Sequence, residues 1–157
     1  MSALIEKIES LLRSSQPRDL LLTRVLEEVL QQFTSETGTI HQLDAEKQLL
    51  HLVAEIGLPP QLLEVVKAIP VGKGIAGQAA AQGKPVSICN LQTDASGVAR
   101  PGARQTGVGG ALSVPLWQEG KITGTIGIGT LRQHEYTADE TRTLEDAGRS
   151  IGAFLKV

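Results

Sequence analysis

Four β-prone segments occur in two pairs, and each pair is joined by a short polar turn instead of a helix. Thr39-Ile40-His41-Gln42-Leu43 and Leu49-Leu50-His51-Leu52-Val53 flank Asp44-Ala45-Glu46-Lys47. Ala111 to Trp117 and Lys121 to Leu131 flank Gln118-Glu119-Gly120. Parallel strands need crossovers of roughly a dozen residues or more, so pairs joined this tightly commit the chain to a sheet that is antiparallel. Val86-Ser87-Ile88 reads as one more short strand.

The remaining patterned segments are helical. Leu4, Ile5, Ile8, Leu11 and Leu12 recur at helical spacing with Glu6, Lys7 and Glu9 between them, which makes an amphipathic helix. Pro17 suits a first helical turn, Asp19 favours its positive end, and Leu21, Leu22, Val25, Leu26, Val29, Leu30 and Phe33 form a wide stripe. Pro59-Pro60 opens a short helical segment through Lys67, and Gly72 to Gln82 passes from a glycine turn into an Ala-rich helix stopped by Gly83 and Pro85. Thr137 with Glu140 three residues later is a capping box, and Leu144, Ala147, Ile151, Phe154 and Leu155 continue a last helix.

These stripes must cover one face of the sheet, which predicts an α+β fold with a central antiparallel β-sheet. The N- and C-terminal helices then share one face, and a short-helix and loop region covers the other. At 157 residues the chain reads as one domain over 1–157, with N-terminal helices in 1–34 and a C-terminal helix in 137–157.

The face away from the long helices is the informative one. With alternate side chains on opposite sides, Ile122, Ile126 and Ile128 share one face, leaving Thr123, Thr125, Gly127 and Gly129 on the other. The preceding strand adds Ala111, Ser113 and Pro115 there. A face of small residues either receives tightly packed helices or leaves room for a ligand. Asn90 to Gly110 is long, polar and rich in turn residues, so it reads as a lid over that room. The candidate ligand-binding residues are Thr39, His41, Ile75, Ala76, Ala79, Ser113, Thr125, Gly127 and Gly129, with Arg100 and Arg104 offering bidentate contacts to an anion.

Other chemistries fit poorly. Fifteen Lys and Arg against seventeen Asp and Glu are too balanced for a duplex nucleic-acid binder, and Phe33, Trp117, Tyr136 and Phe154 are too scattered for base stacking. The single cysteine, Cys89, excludes an internal disulfide or thiolate zinc cluster and points to a reducing, cytoplasmic setting. Following a buried-looking strand, it reads as a small hydrophobe. No signal segment or membrane span is apparent. His41, His51 and His134 lack metal-ligand spacing; the first two read as exposed strand residues, with His41 alternatively offering one hydrogen bond to a pocket.

Gly72-Lys73-Gly74-Ile75-Ala76-Gly77 satisfies G-x-G-x-x-G, but no βαβ unit surrounds it. Gly77 through Gly83-Lys84 approaches a phosphate loop and then places Pro85 where a Ser or Thr is needed. Taken with Gln78-Ala79, Gly83-Lys84-Pro85-Val86, Leu112-Ser113-Val114-Pro115-Leu116, the Ile122 to Gly129 strand and Tyr136-Thr137-Ala138-Asp139-Glu140, this series resembles the GAF domain family over residues 17–157. The resemblance implies a sensory or regulatory domain with dimer helices on one sheet face and a small-molecule pocket on the other.

Within that family the resemblance separates sub-classes. Tyr136, Asp139 and Glu140 match the cyclic-nucleotide-binding members, but Leu131-Arg132 stands where an Asn-Lys pair is needed. Free methionine sulfoxide reductases need several cysteines, one where this chain has Ala76, and acidic residues where it has Gly127 and Gly129. Bilin binders need an attachment cysteine and an Asp-Ile-Pro type motif, neither of which is visible. The expectation is a non-enzymatic, cytoplasmic, homodimeric domain that binds an unidentified small molecule and signals to a separate or downstream output domain. The alternatives are a degenerate enzyme of the reductase type and a dimerisation-only module. No cofactor is assigned.

Overall fold

The computed structural model describes residues 2–90, 92 and 107–155. In chain order these form α1 (Ala3–Leu12), α2 (Arg18–Phe33), β1 (Thr37–Asp44), β2 (Leu49–Ile56), a 3₁₀ turn (Pro60–Leu62) leading into α3 (Leu63–Val66), and β3 (Ala68–Pro70). They continue with α4 (Gly74–Gln82), β4 (Val86–Ile88), β5 (Ala111–Gln118), β6 (Lys121–Gly129) and α5 (Ala138–Leu155). The six strands make one sheet in the order β3-β2-β1-β6-β5-β4, with every neighbouring pair antiparallel. Both expected hairpins are present, and the first and last helices share a sheet face.

That face carries the main core. Ile40, Leu112, Val114, Leu116, Ile126 and Ile128 from the sheet meet Leu22, Val25, Leu26 and Val29 of α2 and Leu144, Ala147, Ile151 and Leu155 of α5. Burying a side chain of this size contributes roughly 1.5–3 kcal/mol relative to exposure, so these residues account for most of the drive to fold. Leu4 and Ile8 of α1 belong to the same core, packed with α2 and α5. The apolar stripe of α1 is thus largely covered within the chain. α5 starts as its capping box predicts: the Glu140 N–H donates to Thr137 Oγ1 at 3.0 Å, and the Thr137 N–H donates to Glu140 Oε1 at 2.9 Å.

Several residues depart from the simple alternation. Thr123 was expected beside Thr125, and Ile122 beside Ile126. Leu116 pairs with Gly124 and Trp117 with Ile122, so Thr123 is an extra residue in β6. A bulge of this kind re-aims side chains. The Thr123 hydroxyl turns to α5 and donates to the Gly152 carbonyl at 2.9 Å, while Ile122 reaches the opposite side with Trp117, near Gly83 at the end of α4. The cause is the approach of α5: a Cβ built on Gly152 would lie 2.5 Å from the Trp117 carbonyl oxygen.

β3 was not anticipated; its three residues occupy a sheet edge, where Pro70 is tolerated. Cys89 is exposed, not packed as a small hydrophobe, because β4 ends one residue earlier. His41 is buried, not exposed, whereas His51, which pairs with Gln42 and so faces away from His41, is exposed. The expected lid, Asn90 to Gly110, lies mostly outside the described residues, as do Arg100 and Arg104.

Candidate functional site

The glycine series is explained by the turn it builds. Gly72 and Gly74 adopt φ of +93° and +67°, a region that costs other residues strain. A Cβ on Gly77 would lie 2.6 Å from the Pro70 carbonyl oxygen, so only glycine lets α4 sit this close to the turn. The Gly72 N–H donates to the Gly77 carbonyl at 2.8 Å and Gln78 Nε2 donates to the Gly72 carbonyl at 2.8 Å, closing the turn onto the helix. Gly83, at φ +63°, ends α4 in the left-handed conformation expected of a C-terminal glycine. Each glycine of the two phosphate-loop look-alikes therefore has a structural task.

So placed, α4 covers only part of the small-residue face. Gly77, Ala79 and Ala80 of α4 are buried, and beneath this region of the sheet Thr125 is wholly enclosed. Beyond its first turn a cavity of about 180 Å³ opens between the sheet, α3 and the start of α4. Thr39, His41, Ile75, Ala76, Ser113, Gly127 and Gly129 line it, as the sequence suggests. Thr125 and Ala79 do not line it: α4 lands over Thr125, and Ala79, in the middle of α4, is buried by that packing. Both readings of the small-residue face hold, each for a different part.

Sequence reasoning missed the outer wall. Leu58, Leu62, Val65 and Val66 come from the segment between β2 and β3, with Val108 opposite. The available signal was the spacing of Leu62, Val65, Val66 and Ile69, which gives the short helical segment after Pro60 an apolar face with nothing assigned to it.

The floor of the cavity is polar in an apolar surround. His41 on β1 stands opposite Thr125 on β6, and Thr39 and Ser113 flank Gly127 from either side. His41, Ser113 and Thr125 are 1 %, 2 % and 0 % exposed. His41 Nε2 is 2.8 Å from the Val66 carbonyl, which ties β1 to the end of α3. Burial lowers the His41 pKa to about 4; the bond to Val66 opposes that shift and the nearby His51 adds to it. Nδ1 of His41, Oγ of Ser113 and Oγ1 of Thr125 are buried without a hydrogen-bond partner among the described residues. Such groups are uncommon because each costs about 1–3 kcal/mol when unsatisfied.

The cavity is connected to both ends of α5. Val108 and Ala111 line it, and between them Gly109 and Gly110 donate backbone hydrogen bonds to the carbonyls of Thr130 and Arg132, on the path into α5. The His134 N–H donates to the Cys89 carbonyl, and the His134 ring meets Glu140 at 3.2 Å. At the other end, Gln42, next to His41 on β1, donates through Nε2 to the Leu155 carbonyl at 2.7 Å. Arg18 of α2 donates to Gln42 Oε1 at 2.9 Å. Among the described residues no group of three or more His, Cys, Asp or Glu could hold a metal ion, and no helix is long and apolar enough to cross a membrane.

A sheet with long helices on one face and a cavity under short helices on the other defines a GAF-type architecture. The GAF domain family model matches residues 15–156, and the chain belongs to that family. Similar solved structures include the GAF domain of an Acinetobacter phosphoenolpyruvate-protein phosphotransferase, 19 % identical, covering 99 % of this chain and 94 % of that one with a TM-score of 0.80. The free methionine-R-sulfoxide reductase of Neisseria meningitidis, solved with its substrate, is 17 % identical over 97 % of this chain and 86 % of that one, with a TM-score of 0.78. A domain of a Sinorhizobium meliloti protein described as a two-component sensor histidine kinase is 18 % identical over 88 % of this chain and 90 % of that one, with a TM-score of 0.70. At these identities the likeness establishes the fold. No curated protein matches the chain.

Proposed function

We propose that this GAF domain is a sensory module that binds a small molecule in the cavity between the sheet and α4 and passes occupancy to α5, without catalysing a reaction. The observation that carries the reading is the polar floor: His41 Nδ1 and Ser113 Oγ, buried and without a partner among the described residues, on the sheet face under an apolar-walled cavity. The bonds from Gly109 and Gly110 to residues 130 and 132, and from Gln42 to Leu155, supply routes from cavity to helix. The receiver is an output domain, separate or downstream, and the working form is a homodimer using a surface other than the covered stripe of α1. A single cysteine fits a cytoplasmic setting.

Native mass spectrometry of the purified protein tests the reading. A bound small molecule that is lost in a cavity-filling Gly127→Leu variant supports it. A wild-type protein that carries no adduct and takes up none from a metabolite extract counts against it and favours a dimerisation-only module.

The likeness to a reductase solved with its substrate keeps an enzymatic reading in view. That chemistry leaves a sulfenic acid on the attacking cysteine, which a second thiol must resolve. Cys89 is exposed, does not line the cavity, and is the chain's single cysteine. An assay with free methionine sulfoxide and dithiothreitol separates the two: turnover abolished by Cys89→Ser would make the enzyme reading the better one.

A further inference from the structure

The bond between His41 and Val66 fixes more than the position of the ring. A carbonyl oxygen only accepts, so at 2.8 Å Nε2 must carry the proton. A neutral imidazole with its proton there leaves Nδ1 as a bare acceptor, and burial keeps the ring neutral, with a pKa of about 4. Nδ1 has no partner among the described residues. A carboxylate or phosphate oxygen placed against it would face lone pair with lone pair. The described cavity lining contains no Lys, Arg, Asp or Glu to balance a ligand charge. Leu58, Leu62, Val65, Ile69, Ile75 and Val108 instead supply apolar walls.

We infer that the cavity takes an uncharged, mostly apolar molecule of about one substituted ring, which donates an N–H or O–H to Nδ1 of His41 and accepts from the Ser113 hydroxyl. The size follows from the volume: about 180 Å³ is close to the roughly 150 Å³ apolar cavity that accommodates benzene. A hydroxyl or primary amide on such a ring both donates and accepts, matching the acceptor on β1 and the hydroxyl on β5. This assignment rests on the ligand-binding reading and narrows it to one chemical class.

The test compares three probes of one size on the wild-type protein: phenol, toluene and benzoate. Each is titrated at pH 7 while backbone amides and the histidine ring nitrogens are followed by NMR. The assignment predicts that phenol binds roughly tenfold tighter than toluene, the scale of one buried hydrogen bond made or left unmade, and that benzoate is weakest. Phenol, unlike toluene, should shift the unprotonated Nδ1 resonance of His41. In His41→Phe, which keeps an apolar ring of similar size, phenol and toluene should become equal. Should that variant fail to fold, the wild-type ranking and the Nδ1 shift still decide. Toluene binding as tightly as phenol, or benzoate binding most tightly, overturns the donor assignment and leaves the pocket reading standing. Saturation by none of the three at millimolar concentration overturns both.

Discussion

His41 Nε2 donates to the Val66 carbonyl across 2.8 Å, so a central strand and the last turn of α3 are held together by a neutral, fully buried histidine. The carbonyl is one of those a helix end leaves without an internal partner. Both the shape of the cavity wall and the acceptor on its floor depend on this one contact.

The contact makes stability depend on pH. The folded-state pKa of His41, about 4, lies below the ordinary 6.5, so between these values the unfolded chain binds the proton that the folded one refuses. Stability from this group is therefore complete above about pH 6.5 and falls as pH drops toward 4, by about 3 kcal/mol in all. Urea denaturation across pH 4 to 7 should show this loss, and His41→Phe should flatten that part of the curve. An unchanged slope in the variant would mean that another group titrates.

Gly127 is where the cavity can be closed by design. A Cβ there would lie 3.3 Å from Thr39 Oγ1 and 3.9 Å from Ser113 Cβ, needing only a small shift of a hydroxyl. Gly127→Leu should then fill the cavity, abolish phenol binding and change stability by no more than about 1–3 kcal/mol. Calorimetric titration beside thermal melting checks it; a variant that melts normally and still binds phenol would put the ligand elsewhere.

Gly152 offers the opposite case. Its missing Cβ would fall 2.5 Å from the Trp117 carbonyl oxygen and 2.7 Å from the Trp117 nitrogen, both backbone atoms that cannot swing aside. Gly152→Ala should push α5 from β5 and destabilise by about 1–3 kcal/mol or more despite the higher helix propensity of alanine. The denaturation midpoint reads this directly.

Gln42 tests the route from cavity to helix. Its Nε2 bond to Leu155 and its Oε1 bond from Arg18 hold the last turn of α5 against β1 and α2. Gln42→Ala should cost about 1 kcal/mol and speed amide exchange in that turn. The phenol-induced change in exchange at the end of α5 should shrink while phenol affinity stays within twofold. An undiminished change in α5 would direct attention to the 109–110 and 130–134 connection instead.

Much of the fold is legible in the chain because its signals are local. Alternating apolar residues around Asp44 to Lys47 and Gln118 to Gly120 specify hairpins without reference to anything distant, and Thr137 with Glu140 specifies a cap. The residues read wrongly are those decided by long-range packing. Thr123 follows alternation until the backbone of α5 at Gly152 reaches Trp117, and the bulge then turns it around. His41 looks like an exposed strand residue until α3 supplies the carbonyl that makes its burial tolerable. Thr125 and Ala79 look like pocket residues until α4 settles on the sheet, covering the first and burying the second, and the wall from Leu58 to Val66 appears only when α3 folds over the sheet. Seven of the proposed site residues line the cavity because strand alternation and the start of α4 were readable; its outer wall was not.

The most direct test of ligand sensing is a backbone amide titration with uncharged, ring-sized compounds, phenol first, on the wild-type protein and on Gly127→Leu. The account predicts saturable shifts centred on Thr39, His41, Ser113, Gly127 and Gly129, extending to α5, and absent from the variant. Shifts that never saturate, that fall elsewhere, or that persist unchanged in Gly127→Leu would contradict it.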